Sequence, residues 1–143
     1  MIDTPDMRAL AERFGSLPPY AVELDIHYAG EENGRPLVAM PYSELVIGRP
    51  GFLHGGAIAG LLEMAAITTL RSLLAEKGIK AGLKQINVTT SFMRGGMEHM
   101  SFAAAKVVRL GRNMANVEAV AWQAHRDKPI ATAQMAYLIR REN

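Results

Sequence analysis

The sequence has 143 residues, of which 49% are hydrophobic, and its formal net charge is +2. A chain of this length can form one domain with a buried core, and the near balance of charge argues against a dedicated nucleic-acid binder. Because the sequence has no cysteine, disulfides, thiolate metal sites and cysteine nucleophiles are excluded. We expect one cytoplasmic domain that covers residues 1–143.

The N-terminal residues predict a short helix. The stretch DTPDMRALAERFG places it within residues 1–15, with Thr4 as the N-cap, Pro5 at the first helical position and Gly15 at the stop. The first ten residues lack the basic and apolar segments of a signal peptide, which agrees with a cytoplasmic location.

A β-hairpin is predicted next. Residues 22–28 alternate between apolar and polar side chains, which is the pattern of a half-buried strand. The stretch GEENGRP predicts a turn, and LVAMPY predicts the returning strand.

The segment from Gly55 to Lys77 predicts a long central helix, because it is too long for a strand and is followed by Gly78. Its apolar residues surround the first four turns, and a helix that is apolar on every side is buried on every side. Since Glu63 interrupts the apolar run, we expect the run to be too short to span a bilayer. The chain's own sheet can cover only part of this helix, so burial of the rest predicts a homodimer.

After the central helix the hydrophobic period changes to two. The predicted strands lie near 84–93, 101–110, 114–126 and 129–140, and the stretches RGGMEH, LGRN and RDKP form the turns between them. The fold class is therefore α+β, with an antiparallel sheet wrapped around a long central helix.

Glu63 is the one charged residue between the helix start and Leu70. Burying an ionised carboxylate among apolar side chains is costly, so its presence needs a reason. Where a substrate reaches it, such a carboxylate is suited to act as a general base or a nucleophile. The alternative is a structural carboxylate that pairs with an arginine or caps a buried polar group.

The helix start carries a second candidate group. The free N–H groups of Gly55 and Gly56 and the positive end of the helix dipole favour negative charge, such as the oxyanion of acyl transfer. The alternative is a flexible entry to a closely packed helix. His54 can orient a substrate, hold the loop or transfer a proton, or it can simply be satisfied by backbone carbonyls. The four histidines lack the spacing of metal ligands, so we expect no metal site.

The spacing between these groups has a geometric consequence. Gly55 and Glu63 lie eight residues apart, or about 12 Å along one helix, so one carbonyl cannot lie within about 3 Å of both. Two antiparallel helices related by a two-fold axis would bring Gly55 of one chain to Glu63 of the other. The chemistry and the burial of the helix thus predict the same homodimer.

These residues resemble the hotdog-fold acyl-CoA thioesterases, specifically their PaaI-like branch. The shared motif is His-Gly-Gly at the start of the central helix with an acidic residue nine positions after the His, here His54, Gly55, Gly56 and Glu63. The stretch TTSFMRGG resembles the family's strand that ends in an aromatic-Leu-Arg-Pro turn, and VVRLGRNMANVEAVAW resembles the hairpin that follows. The resemblance covers roughly residues 20–140.

The resemblance implies hydrolysis of an acyl-CoA or aroyl-CoA thioester, with coenzyme A as part of the substrate and no cofactor. Glu63 would attack the thioester carbonyl or activate a water, while the Gly55 N–H, helped by His54, would polarise the carbonyl oxygen. The coenzyme A tail would lie over the hairpins, and the homodimer could pair into a dimer of dimers. The implied substrate-binding residues are Gly48, Gly56, Ile67, Phe92, Arg94, Arg109, Gly111, Arg112 and Asn113, with the phosphates near the arginines.

Three positions depart from the family's pattern. Gly48 stands where many relatives carry Asn or Gln, and Gly95 replaces the proline after the strand arginine. Ile67 stands where some relatives carry Ser or Thr, although Thr68 and Thr69 follow it on other faces of the helix. Altered specificity or modest activity would follow from these changes.

Two other functions stay open. An acyl-CoA-binding or regulatory module could use the same groove without turnover, but it has no need of a carboxylate facing the thioester. A hotdog hydratase or dehydratase relies on a His and an Asp near the start of its central helix, which the mid-helix Glu63 fits less well. We expect neither nucleic acid nor a membrane as a partner.

Overall fold

The structure is a computed structural model that describes residues 5–142. Its helices are α1 (Pro5–Phe14), α2 (Pro19–Glu23) and α3 (Gly55–Glu76), and its strands are β1 (His27–Glu32), β2 (Arg35–Met40), β3 (Ala81–Phe92), β4 (Ser101–Leu110), β5 (Met114–Trp122) and β6 (Ala131–Arg141). A short 3₁₀ turn, Glu44–Val46, precedes α3.

The six strands form one antiparallel sheet in the order β1-β2-β4-β5-β6-β3, so β1 and β3 are its edges. Helix α3 packs mainly against β2, β4 and β5, in the middle of the sheet and toward its β1 edge. The side of β6 that faces the helix is fully buried and consists of Ala131, Ala133, Met135, Tyr137 and Ile139. This arrangement confirms the predicted α+β class and is the hotdog fold.

Helix α3 begins and ends close to the predicted residues 55–77. His54 is its N-cap, Lys77 its C-cap, and Gly78 has a φ of 67°, a left-handed conformation that glycine adopts without strain. At 22 residues it is long and apolar enough to cross a membrane, so the expectation that the run is too short was wrong. A single charged side chain does not shorten a helix. Of its most apolar segment, 67% is buried inside the fold, as in the core helix of a soluble protein.

One face of α3 stays open in a single chain. Ala59, Glu63 and Ile67 follow one another at four-residue spacing and are half-buried, whereas Leu61 and Leu62 beside them are fully buried. Because residues at that spacing lie one above the other, they form a continuous stripe that starts at Gly55. We call Gly55, Ala59, Glu63 and Ile67 the open stripe.

The predicted strand at residues 22–28 was wrong. Pro19 occupies the first position of α2, a helix that runs to Glu23, and β1 begins only at His27. Between them, Asp25 has a φ of 57°, which a strand does not accommodate. The apparent alternation has another source, since Leu24 and Ile26 are buried beneath this corner while Val22 is 58% exposed.

The rest of the N-terminal prediction is close to the structure. The hairpin is present, and its turn is the two-residue Asn33-Gly34, with φ values of 54° and 78°. Helix α1 begins at Pro5 and ends before Gly15, as predicted. The proposed N-cap Thr4 lies outside the described residues.

The four C-terminal strands are all present, with shifted ends. Strand β3 begins three residues earlier than predicted, and β5 ends at Trp122 rather than at 126. The ladder between β5 and β6 closes with the Ile130 N–H donating to the carbonyl of Ala121 at 2.8 Å, and the residues between those strands form the connection.

Candidate active site

The start of α3 presents one free backbone donor. The His54 Nδ1 accepts the Gly56 N–H at 2.8 Å, and the His54 carbonyl accepts the N–H groups of Ala57 and Ile58 at 3.0 and 3.2 Å. Within residues 5–142, the Gly55 N–H has no hydrogen-bond partner. The histidine therefore satisfies the neighbouring donor and leaves that of Gly55 available at the positive end of a 22-residue helix.

The loop before α3 is fixed to the segment after β3. The Leu53 N–H donates to the Gly96 carbonyl at 2.9 Å, and the His54 N–H donates to the Val46 carbonyl at 2.7 Å. The contact is so close that a Cβ on Gly96 would lie 2.5 Å from a methyl carbon of Leu53. The position of the helix start thus depends on two chain segments far apart in sequence.

Gly48 lies in the same loop with its backbone against His54. A Cβ at this position would lie 3.0 Å from the His54 Cα and 3.3 Å from its nitrogen. Backbone atoms cannot move aside as a flexible side chain can, so glycine is required by packing. The structure therefore places Gly48 beside the site through its backbone alone.

Phe92, at the end of β3, lies against the helix start. Its Cζ is 3.4 Å from the point where a Cβ of Gly55 would be, and the residue is 57% exposed. Any group that approaches the Gly55 N–H from this side must therefore pass the phenyl ring. The structure brings Phe92 together with His54, Gly55 and Gly56.

A β-bulge determines which way Phe92 points. In the β3–β6 pairing, Gln85 lies opposite Tyr137, but Asn87 lies opposite the very next residue, Ala136, so Ile86 is the extra residue. One extra residue reverses which side chains face the helix. Phe92 thereby falls opposite Ala131, on the buried side of the sheet, instead of on the outer side.

Glu63 lies two turns along α3 from Gly55, on the open stripe. It is half-buried, and within residues 5–142 its carboxylate has neither an ion pair nor a hydrogen bond. Three ion pairs between other residues, Arg13–Glu31, Arg35–Glu76 and Arg126–Glu32, occur in this part of the chain. The alternative in which an arginine of the same chain neutralises Glu63 is thus not realised.

Tyr137 of β6 is the titratable neighbour of Glu63. Burial raises the pKa of the Tyr137 phenol, and the negative charge of Glu63 raises it further, while a hydrogen bond from Gln85 acts in the opposite direction. The Gln85 Nε2 donates to the Tyr137 hydroxyl at 3.5 Å. Sequence reasoning missed both residues, because Tyr137 looks like one more core position of an alternating strand.

The turn of α3 after Glu63 offers no hydroxyl to it. Ile67 continues the open stripe, whereas Thr68 and Thr69 are fully buried. The Thr68 hydroxyl donates to the Met64 carbonyl at 2.7 Å, and the Thr69 hydroxyl is buried without a partner among the described residues. Neither threonine replaces the Ser or Thr that some relatives carry at position 67.

The predicted phosphate-binding residues lie in two places. Arg94 follows Phe92, and its Nε donates to the Pro129 carbonyl at 3.1 Å. Arg109 lies on β4 at the level of Asn87, about 17 Å along the sheet from the level of Phe92. The β4–β5 turn, with Gly111, Arg112 and Asn113, lies farther still, at the opposite end from Gly55. One chain therefore does not bring this hairpin to its own helix start.

The open stripe is a surface rather than a closed pocket in one chain. Two cavities of about 720 and 730 Å³ lie elsewhere, one over β4, β5 and β6 beside the β1–β2 turn and one between α1 and the last turns of α3. No group of three or more His, Cys, Asp or Glu side chains that could hold a metal ion occurs in the described part of the chain.

The sequence matches the thioesterase superfamily over residues 50–130, which is more than half of the chain. Comparison with curated proteins finds no match. Among solved structures, the fold is similar to a thioesterase family protein from Silicibacter pomeroyi, with a TM-score of 0.75 and 24% identity over 95% of this chain and 96% of that one.

Two further solved structures show the same likeness of fold. A thioesterase from Haemophilus influenzae has a TM-score of 0.76 and 17% identity, over 97% of this chain and 93% of that one. A phenylacetic acid degradation-related protein from Ralstonia eutropha has a TM-score of 0.75 and 20% identity, over 92% of this chain and 98% of that one.

Proposed function

Because the chain belongs to the thioesterase superfamily, we propose that it hydrolyses an acyl-CoA or aroyl-CoA thioester to the free acid and coenzyme A. The observation that carries this proposal is the content of the open stripe. It presents a backbone donor at Gly55 and a carboxylate at Glu63, and neither has a partner within residues 5–142. Both are groups that acyl transfer uses.

The Gly55 N–H is placed to stabilise the developing negative charge. When a nucleophile adds to the thioester carbonyl, the oxygen becomes an oxyanion, and a fixed backbone donor at a helix N-terminus stabilises it. Such donors contribute about 10²–10³ to kcat. His54 supports this role by satisfying the Gly56 N–H and holding the first turn in place.

Glu63 supplies the second half of the chemistry. As a general base it takes a proton from water while the water oxygen bonds to the carbonyl carbon; the C–S bond then breaks and the coenzyme A thiolate recovers a proton. As a nucleophile its oxygen would bond to the carbonyl carbon and displace the coenzyme A thiolate, which takes up a proton; water would then cleave the mixed anhydride and regenerate Glu63. Both routes release one free thiol for each acid formed.

The site requires two chains, because about 12 Å of helix separates Gly55 from Glu63. Edge strand β3 supports this assembly: its twelve residues leave one side of the backbone unpaired, and Ile86 and Val88 are about half exposed. An unpaired edge of that length is a template for a second copy. We propose that β3 pairs with β3 of a second chain across a two-fold axis, giving a homodimer that can form a dimer of dimers.

This dimer would also bring the distant arginines of one chain toward the helix start of the other. Antiparallel pairing of two β3 strands sets the β4–β5 turn of the second copy at the same end as Gly55 of the first. Arg109 and Arg112 could then hold coenzyme A phosphates from across the dimer, with Arg94 nearer the thioester. The proposal assigns Gly111 and Asn113 to the same turn.

The acyl group would lie along the open stripe. Phe92 beside Gly55 and the apolar Ile67 beyond Glu63 form a surface that suits an aromatic ring or a medium-length chain. We propose the PaaI-like branch on these grounds. The likeness to the phenylacetic acid degradation-related protein is the reason to test phenylacetyl-CoA among the substrates.

The test is release of free thiol from a panel of straight-chain acyl-CoAs, benzoyl-CoA and phenylacetyl-CoA. We expect Glu63→Gln to lower kcat/KM at least ~100-fold on the best substrate, since the substitution removes the base but keeps the shape. Glu76→Gln changes the other glutamate of α3, which is exposed, and should stay within about twofold of the native protein.

Two results would contradict the proposal. One is that Glu63→Gln hydrolyses the best substrate as fast as Glu76→Gln does. The other is that the native protein binds coenzyme A esters but hydrolyses none of them, in which case an acyl-CoA-binding module takes the place of the thioesterase.

A further inference from the structure

We propose that Tyr137 and Gln85 form a positioning pair for Glu63: the phenol donates to the carboxylate, directly or through one water, and the amide orients the phenol. This inference rests on the proposed function, because it concerns the same carboxylate. It assigns a role to two sheet residues that no motif around α3 includes.

The alignment of α3 and β3 places the three side chains together. The helix and the strand run in opposite directions, and the contact between Phe92 and Gly55 fixes their relative position. Glu63 lies about 12 Å along the helix from Gly55. The same distance along β3 spans about four residues and reaches Val88, which pairs with Met135 on β6. Glu63 is therefore level with Met135.

The Tyr137 hydroxyl extends to that same level. Tyr137 is the next helix-facing residue of β6, and its hydroxyl lies 3.5 Å from the Met135 sulfur. The phenol therefore leans along the strand toward the position of Glu63. The rise in the phenol's pKa caused by the charge of Glu63 agrees with this closeness.

The hydrogen bonds around the phenol are incomplete within one chain. Tyr137 is 2% exposed, yet within residues 5–142 its O–H has only the thioether sulfur of Met135 as an acceptor, and sulfur is a weak one. The Gln85 amide donates to the phenol oxygen at 3.5 Å, so that oxygen already has a donor and its own proton is free to point elsewhere. The unpartnered Glu63 carboxylate is the strong acceptor nearby.

No residue of the helix or the preceding loop competes for this role. Gly48 has no side chain and no room for one, Ile67 is apolar, and the Thr68 hydroxyl is already bonded to the Met64 carbonyl. Within residues 5–142, the sheet is the neighbouring element that offers Glu63 a donor. The helix-facing polar side chains near this level are Gln85 and Tyr137, which are hydrogen-bonded to each other, and Thr90, which lies opposite Ala133 toward Phe92.

The test compares Tyr137→Phe with Tyr28→Phe in the full-length protein. Tyr28 is also buried and donates to the Gly15 carbonyl at 2.9 Å, far from Glu63, so its variant loses a hydrogen bond without touching the site. For Tyr137→Phe we expect kcat about tenfold lower, as for loss of a hydrogen bond to a charged group, with KM within about twofold.

The pH profile separates positioning from a merely structural role. Without the phenol, the charged carboxylate loses a hydrogen bond that favours it, so the acidic limb of the kcat profile should move to higher pH in Tyr137→Phe. His54, the other titratable side chain of the site, is unchanged in both variants. Tyr28→Phe should show a lower melting temperature with kcat and the pH profile unchanged.

If Tyr137→Phe does not fold, the Gln85→Met variant is measured in its place. We expect its kcat to be about threefold lower and the acidic limb of its kcat profile to move in the same direction. The positioning pair is overturned if kcat and the pH profile are both unchanged, whether or not the melting temperature falls. In those cases the proposed function still holds if the native protein is active and Glu63→Gln is not. A native protein that hydrolyses nothing overturns both.

Discussion

At the scale of single residues, the structure is most informative about His54, for which the sequence left several roles open. Its Nδ1 accepts the Gly56 N–H, so the proton of the neutral ring is on Nε2. This is the bond that an N-cap side chain makes to the second residue of a helix. The sequence allows His54 to orient a substrate, hold the loop or transfer a proton. Its hydrogen bonds show it holding the loop and the first turn of the helix.

The cap leads to a stability prediction. His54→Ala should lower the free energy of unfolding by about 1 kcal/mol, because the Gly56 N–H loses its acceptor. His54→Asn, whose side-chain oxygen can accept the same bond, should stay within about 0.5 kcal/mol of the native protein. Urea unfolding followed by circular dichroism measures both. If His54→Ala is as stable as His54→Asn, the cap contributes nothing.

At the scale of elements, the start of α3 is held by glycines in two different loops. Gly96 accepts from Leu53 through its carbonyl, and Gly48 lies against the His54 backbone. The Leu53–Gly96 bond joins the segment before α3 to the segment after β3, and the Gly48 contact packs the loop before α3 against His54, so together they hold the helix start near Phe92. The donor at Gly55 is therefore oriented by packing and not by the helix alone.

We predict that Gly48→Ala destabilises the protein by about 1–3 kcal/mol, because the new methyl group meets backbone atoms of His54 that cannot move aside. Gly82→Ala is the matched control: it lies on exposed β3 with nothing within 4 Å of the new methyl group. That control should be neutral or more stable by a few tenths of a kcal/mol. Equal urea midpoints for the two variants would show that the Gly48 contact is not tight.

The sequence was sufficient to predict α3 and the groups on it. A capping residue, two glycines, a mid-helix carboxylate and a terminal Gly78 all lie within one continuous segment, so local rules apply to them together. The predicted strand at residues 22–28 was wrong because the local signals there conflict. Apolar and polar residues do alternate in the sequence, but Pro19 and the left-handed Asp25 favour a short helix and a corner.

The sheet's contribution to the site was not predictable from local pattern. Gln85 lies opposite the helix-facing Tyr137, and Phe92 faces the same side because of the extra residue at Ile86, which only the pairing with β6 reveals. Pairing register is a non-local property, since a slip of one residue moves every side chain to the other face. The arginines could likewise be found in the sequence but not placed relative to Gly55.

At the scale of the whole molecule, a single chain leaves open both the stripe on α3 and the edge strand β3 that borders the same side. The stripe carries the two groups that the proposed acyl transfer uses, too far apart on one helix to act on one carbonyl, and the edge strand offers a means of bringing a second copy beside it. We propose that each site takes its backbone donor from one chain and its carboxylate from the other.

The Gly55→Pro variant tests the backbone donor separately, because it removes the N–H and leaves Glu63 in place. Proline at the first helical position removes the N–H and fits the backbone, because the preceding His54 has φ −69° and ψ 134°, an extended conformation that proline tolerates before it. The Gly55→Pro and Glu63→Gln variants should each be nearly inactive as homodimers, for different reasons.

The decisive measurement is thiol release after the two inactive variants are mixed, unfolded and refolded together, with the heterodimer fraction counted by native mass spectrometry. If each site spans two chains, a heterodimer has one intact site, and an equimolar mixture recovers about one quarter of native activity. If heterodimers form and activity stays at the sum of the two variants, each site lies within one chain, which contradicts a site shared by two chains.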